Sequence, residues 1–248
     1  MLRTRLQRGE RGLDGLFIGG VTPEFVEMAA LMGFDYVVLD AEHGAVSGAL
    51  ADLIRVARLS GIASLVRIPR HSTETMAQAL DYGANGVLVP GVRDADEIRA
   101  VVHATRYPPE GTRGVAFSIA AAGYGLRGRD YVSQARSSTI VVIQVETSEA
   151  LEAIDVWADI DGVDAFFVGP ADLSMALGEE GRPGPRFEQA MNAIVSALET
   201  KGRPWGIFAA TAEARRHWKA VGAALLATGV PTVFAAGLAQ WREDDANA

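Results

Sequence analysis

Residues 86–106 read GVLVPGVRDADEIRAVVHATR. The first five are an apolar run closed by proline. The rest is a helical pattern that opens on Asp94 as cap and carries acids in its first turn. A strand that is apolar throughout, rather than at alternate positions, is a parallel strand covered on both faces. This βα unit recurs along the chain. Similar runs occur at LFIGG (16–20), YVVLD (36–40), SLVRIP (64–69), TIVVIQVE (139–146), AFFVG (165–169), WGIFAA (205–210) and ALLATG (224–229). Between them lie further helical stretches. TPEFVEMAALMG has Thr22 as expected cap and Pro23 at the first helical position, and TSEALEAIDVWA and RFEQAMNAIVSALETKG follow the same rules, the second ending at Gly202.

Eight such units in 248 residues predict an α/β fold of the (β/α)8, TIM-barrel type. A doubly wound open sheet is the competitor, but it wants a glycine-rich phosphate turn after an early strand, and LFIGGVTPE is a poor match to it. No shift in composition marks a second domain, so residues 1–248 are read as one barrel. The longest segment outside the rhythm runs from Tyr107 to Ser138 and is expected on the side of the barrel where active sites form. The tail WREDDANA is expected to fray.

Composition narrows the function. A net charge of −8 disfavours a nucleic-acid partner, because phosphate backbones need a basic face. There is no cysteine, hence no disulfide framework and no thiolate metal site, as suits a reducing cytoplasm. The basic N-terminus lacks the apolar core of a signal peptide, and no apolar run approaches about 18 residues, so neither export nor a membrane span is expected.

Polar residues gather at the strand ends where barrel chemistry is built. Asp40 ends the second strand and runs into Glu42 and His43; Arg67 lies on the third; Gln144 and Glu146 lie on the fifth; Asp172 follows the sixth in GPADLS. Strand alternation puts Gln144 and Glu146 on one face. Buried carboxylates need a positive partner, and for Glu146 and Asp172 that is either Arg67 or a metal ion. Two carboxylates without cysteine or a second nearby histidine suit a hard divalent cation, Mg²⁺ or Mn²⁺, with Co²⁺ also fitting. His71, His103 and His217 fall in a loop or on presumed outer helices. Several of these residues also have purely structural readings: Asp172 as a turn cap, Asp40 as a loop-orienting acid, Asp81 as a solvated acid. Glu42 is assigned a structural role.

LDAEHG, LVRIP, GANGVLVPGVRDADEIRAVVHATRYPPEGTRGV, VVIQVET and GVDAFFVGPADLS occur in order across residues 15–235. Together they resemble the class II, metal-dependent pyruvate aldolases of the 4-hydroxy-2-oxoheptane-1,7-dioate aldolase family, close to the 2-keto-3-deoxy sugar-acid aldolases. The resemblance implies a barrel of the phosphoenolpyruvate/pyruvate-domain type and cleavage of a 4-hydroxy-2-oxo acid to pyruvate or hydroxypyruvate and an aldehyde. It implies Glu146 and Asp172 as metal ligands and Arg67 as the residue holding the 2-oxo acid. It implies His43 as general base, with Asp40 an acidic neighbour of the site and Gln144 a neighbour of the metal's waters. Backbone groups around Gly169, Pro170 and Ala171 would meet the 2-oxo acid. Asp81 would reach the histidine of an adjacent subunit in a hexamer whose last helix packs on a neighbour's barrel. The loop AFSIAAAGYGLRGRDY and the Gly-Ala-Val after His43 depart from the family pattern on the aldehyde side. Two other functions are weighed. An acyl-CoA lyase of the malyl or citramalyl type would need a basic CoA-sized groove, for which no cluster is evident. A non-catalytic metabolite-binding protein would lack enolisation chemistry.

Overall fold

In a computed structural model, described for residues 1–70, 72–128 and 130–246 with the side chains of 243–246 left aside, the strands form one closed parallel barrel. Its strands are β1 (Leu13–Ile18), β2 (Tyr36–Asp40), β3 (Ala63–Arg67), β4 (Gly86–Val89), β5 (Ile140–Val145), β6 (Ala165–Val168), β7 (Trp205–Phe208) and β8 (Leu225–Gly229), each paired with the next and β8 with β1. The helices are α1 (Leu2–Gln7), α2 (Glu24–Leu31), α3 (Leu50–Leu59), α4 (Thr73–Tyr82), α5 (Ala95–Thr105), α6 (Asp130–Ser138), α7 (Ser148–Ala158), α8 (Pro170–Ala176), α9 (Pro185–Thr200), α10 (Ala212–Val221) and α11 (Val230–Ala246). His71 lies outside the described residues.

The unbroken apolar runs become strands because both of their faces are covered. Val37, Leu39, Val66, Val87, Val141 and Ile143 point outward into one large core shared with the helices. Val38, Leu65, Leu88, Val142, Phe167 and Ala227 point inward into a second core, and Leu2 and Leu6 of α1 join it at the strands' N-terminal ends. Gly15 is required in this inner layer: a Cβ there would lie 2.2 Å from the Tyr36 ring, whose hydroxyl donates to the Leu226 carbonyl at 3.2 Å. Asp94 caps α5 by accepting from the amides of Asp96 and Glu97, and Thr147 caps α7 through the amide of Ala150.

Four expectations are corrected. β1 begins at Leu13 rather than residue 16, because Leu13 and Gly15 pair with β8. Thr22 makes no side-chain cap; Pro23 occupies the cap position of α2. The segment 107–138 follows α5 and leads into β5, so it lies at the N-terminal floor of the barrel, away from the strands' C-terminal mouth. There Tyr107, Ala122, Tyr131 and Ala135 form a small core of their own. The tail, expected to fray from residue 241, is helical through Ala246; Asn247 and Ala248 lie outside the described residues. α11 has little of the barrel beneath it: Phe234 and Trp241 are 72% and 64% exposed.

Candidate active site

The mouth is built from strand ends. Asp40 and Arg67 are register partners at the ends of β2 and β3, although 27 positions apart in sequence. The guanidinium donates to Asp40 through two nitrogens, Nε to Oδ1 at 2.9 Å and Nη2 to Oδ2 at 2.7 Å. Such a fork is the strong form of a charged pair. Phe17 of β1 lies under it, 5.2 Å from ring centroid to Cζ. Burial acts to raise the Asp40 carboxyl, but Arg67 and the amides of Glu42 and His43 outweigh it and hold it below the usual carboxylate range. Those amides donate to Asp40 Oδ1 at 3.2 Å each, which fixes the backbone of the turn bearing Glu42 and His43.

Across the mouth, Glu146 follows the last residue of β5 and is 9% exposed. Its Oε1 accepts from the Gly91 amide at 2.6 Å, and its Oε2 is in short contact with Gln144 Nε2. The expected shared face of Gln144 and Glu146 is therefore present. Gly169, after β6, leaves room for them: a Cβ would come within 2.8 Å of Gln144 Nε2 and 2.9 Å of Glu146 Oε2. Burial pushes the Glu146 carboxyl up to about 7, with the negative charges of Asp172 and Glu42 adding to the rise. Asp172 stands in the first turn of α8 and makes no side-chain cap there.

Arg67 does not neutralise this pair directly, as one reading of the sequence expected; its close partners are Asp40 and, at 3.4 Å, Glu42. What remains is a buried carboxylate with an acidic neighbour, beside a Gln144 Oε1 that is buried and without a hydrogen-bond partner among the described residues. An oxygen-rich donor set of this kind fits a hard divalent cation. Among the described residues no three ligand-type side chains converge tightly enough to hold an ion alone. A cation on Glu146 and Asp172 would thus keep positions open for other oxygens.

His43 is at the rim, with its side chain 69% exposed and Nε2 3.7 Å from Glu42. Glu42, assigned a structural role from the sequence, is brought into the cluster; its adjacency to His43 in DAEH was the available signal. Phe17 had none beyond its place on β1. Asp81 is not at this mouth. It sits at the end of α4 on the barrel floor, paired with Arg113 at 2.7 Å.

Comparison with known proteins follows the same lines. The chain is 36% identical over 233 residues to hydroxypyruvate/pyruvate aldolase of Pseudomonas aeruginosa, covering 93% of this chain and 86% of that protein. It is 36% identical over 225 residues to 4-hydroxy-2-oxo-heptane-1,7-dioate aldolase of Klebsiella pneumoniae, covering 90% and 84%. The crystal structure of a HpcH/HpaI aldolase/citrate lyase family protein from Burkholderia cenocepacia superposes with a TM-score of 0.92 at 30% identity, covering 100% of this chain and 99% of that one. Residues 14–236 match the family as a whole, and with the barrel, the Asp40–Arg67 clamp and the carboxylates at its mouth they place this chain in the HpcH/HpaI aldolase/citrate lyase family.

Proposed function

We propose that the protein is a carbon–carbon lyase, an aldolase that reversibly cleaves a 4-hydroxy-2-oxo acid to pyruvate or hydroxypyruvate and an aldehyde. The observation that carries this reading is the pairing of a doubly clamped arginine with an excess of buried carboxylate at the barrel mouth. Relatives bearing aldolase names at 36% identity support it.

Glu146 and Asp172 would hold a divalent cation, Mg²⁺, Mn²⁺ or Co²⁺, with Gln144 beside it. When bound, such an ion supplies the Lewis acidity that polarises the 2-oxo carbonyl. Arg67, fixed by Asp40 and Phe17, faces the oxygen on which negative charge develops and stabilises it without reorganising. After Gly169 and Pro170, which has no N–H of its own, the amides of Ala171 and Asp172 in the first turn of α8 have no intrahelical acceptor and suit the substrate carboxylate. Acting through water, His43 takes the proton of the 4-hydroxyl as the C3–C4 bond breaks; the bond's electron pair stays with C3 as the enolate and the aldehyde leaves. Return of a proton from that water to C3 yields the 2-oxo acid.

The exposed α11 supports a packing partner in a neighbouring subunit, and Asp81, 33% exposed beside Arg113, is given the family's role toward a neighbour's His43. Both fit a homohexamer, and the cysteine-free composition is compatible with the cytoplasm. The described helices include none long and apolar enough to cross a membrane.

The test is exchange of the pyruvate methyl protons in D₂O with each cation in turn. Exchange that stops in EDTA supports the reading. Its absence with all three cations, or covalent trapping of Lys201 or Lys219 by borohydride with pyruvate, would refute it.

A further inference from the structure

Asp40 takes Nε and Nη2 of Arg67, and Phe17 lies beneath the guanidinium. The remaining nitrogen, Nη1, faces Glu42 Oε2 across 3.4 Å, and the same oxygen lies 3.7 Å from His43 Nε2. Neither contact is a hydrogen bond. The turn beneath them is fixed, because Asp40 accepts the amides of both Glu42 and His43. Glu42 is therefore a carboxylate on a rigid backbone with a loosely held, partly exposed head, set between the arginine and the histidine.

We propose that Glu42 is a displaceable place-holder for the 2-oxo acid. Before substrate arrives its carboxylate stands against Nη1 of Arg67. An oxygen of the substrate then takes that nitrogen, and Glu42 is left with His43 as its partner, orienting the imidazole toward the 4-hydroxyl. Arrival of the 2-oxo acid is thereby coupled to placement of the base. This rests on the reading of Arg67 as the residue that meets the 2-oxo acid. Glu42 is a positioning residue in this scheme, acting through Arg67 and His43. The physical consequence is a split: the carboxylate competes with substrate for Arg67 and yet assists the proton transfer.

The experiment uses the Mn²⁺-loaded protein and three readouts: oxamate binding by calorimetry, kcat for cleavage of a 4-hydroxy-2-oxo acid, and pyruvate exchange in D₂O. Glu42→Gln removes the competing charge at constant shape. The oxamate Kd should fall about fivefold, the size of a partly exposed ion pair, while kcat for cleavage also falls. In a His43→Gln background the tighter binding should persist and the further loss of kcat should vanish. Glu42→Asp, which keeps the charge but draws it back, should bind oxamate between wild type and Glu42→Gln. Oxamate binding that weakens or stays unchanged in both variants overturns the place-holder, as does a kcat loss that persists without His43. A wild type that binds oxamate but gives no exchange refutes the aldolase reading instead, so the two failures are distinguishable.

Discussion

The two ends of the barrel carry similar residues in opposite balance. At the floor four partly buried acids are each matched by arginine. Asp164 is flanked by Arg3 at 2.7 Å and Arg106 at 3.6 Å, Asp35 by Arg5 at 2.6 Å, Asp81 by Arg113 at 2.7 Å, and Asp14 by Arg215. Arg106 further donates to the carbonyls of Thr139 and Gly162, and Arg113 lies over the Tyr107 ring at 4.6 Å. At the mouth Arg67 is paired with Asp40 and Glu42, while Glu146 and Asp172 have no ion-pair partner among the described residues and push on each other. Matched charge holds elements together; unmatched buried charge is costly and is retained where a cation or a reacting group answers it. The difference teaches which cluster does chemistry.

The largest effect should come from removing the unmatched charge. Glu146→Ala or Asp172→Ala should reduce exchange and cleavage to background while the thermal midpoint stays within a few degrees of wild type. Normal turnover of either variant in EDTA would place the chemistry elsewhere. Next is Asp81, the exception at the floor: its side chain is 33% exposed beside Arg113 and is proposed to serve another subunit's mouth as well. Asp81→Ala should cost about a hundredfold in kcat, the scale of assisted proton transfer. Mixing and reassembling it with inactive His43→Ala should restore activity, whereas a residue confined to its own barrel gives no complementation.

Asp164 tests the matched end. Asp164→Ala strands Arg3 and Arg106, and breaking a buried pair costs about 3 kcal/mol, or roughly 10 °C in Tm for a chain of this size. Activity per folded molecule should not change; a kcat loss without a Tm loss would erase the contrast between the ends. The smallest effect is a pH dependence in the metal-free protein. The Glu146 carboxyl is raised from 4.5 to about 7, chiefly by burial, so between those values the folded state holds a proton the unfolded chain has lost. Stability from this group is thus full below pH 4.5, falls as pH rises through 7, and levels off above. Thermal midpoints in EDTA should decline across that window, and Glu146→Gln should flatten the decline. Equal slopes in the two proteins would mean that Glu146 titrates normally.

How much of this was legible depended on range. The alternation of apolar strands with capped helices is local, and it specified the barrel through residues such as Asp94 and Thr147. The parity of Gln144 and Glu146 is likewise local, since a two-residue period holds whatever the strand pairs with. The strand ends at Asp40, Arg67 and Asp172 could be assigned to a mouth because every strand of a parallel barrel points the same way.

Other features were decided only when the barrel closed. The register of β2 against β3 set Asp40 beside Arg67 and so took the arginine away from Glu146. The turn after Asp40 brought Glu42 between Arg67 and His43, which adjacency in sequence could not distinguish from a solvated acid. The route of segment 107–138 after α5 sent it to the floor, where Arg113 claimed Asp81. By itself the sequence determined the order of elements and the end of each strand that carries the chemistry, because periodicity and capping act over a few residues. Which charges are matched and which are left over was decided by tertiary structure alone, because a pair's energy depends on distance and burial, and both are set by the closure of the barrel rather than by spacing along the chain.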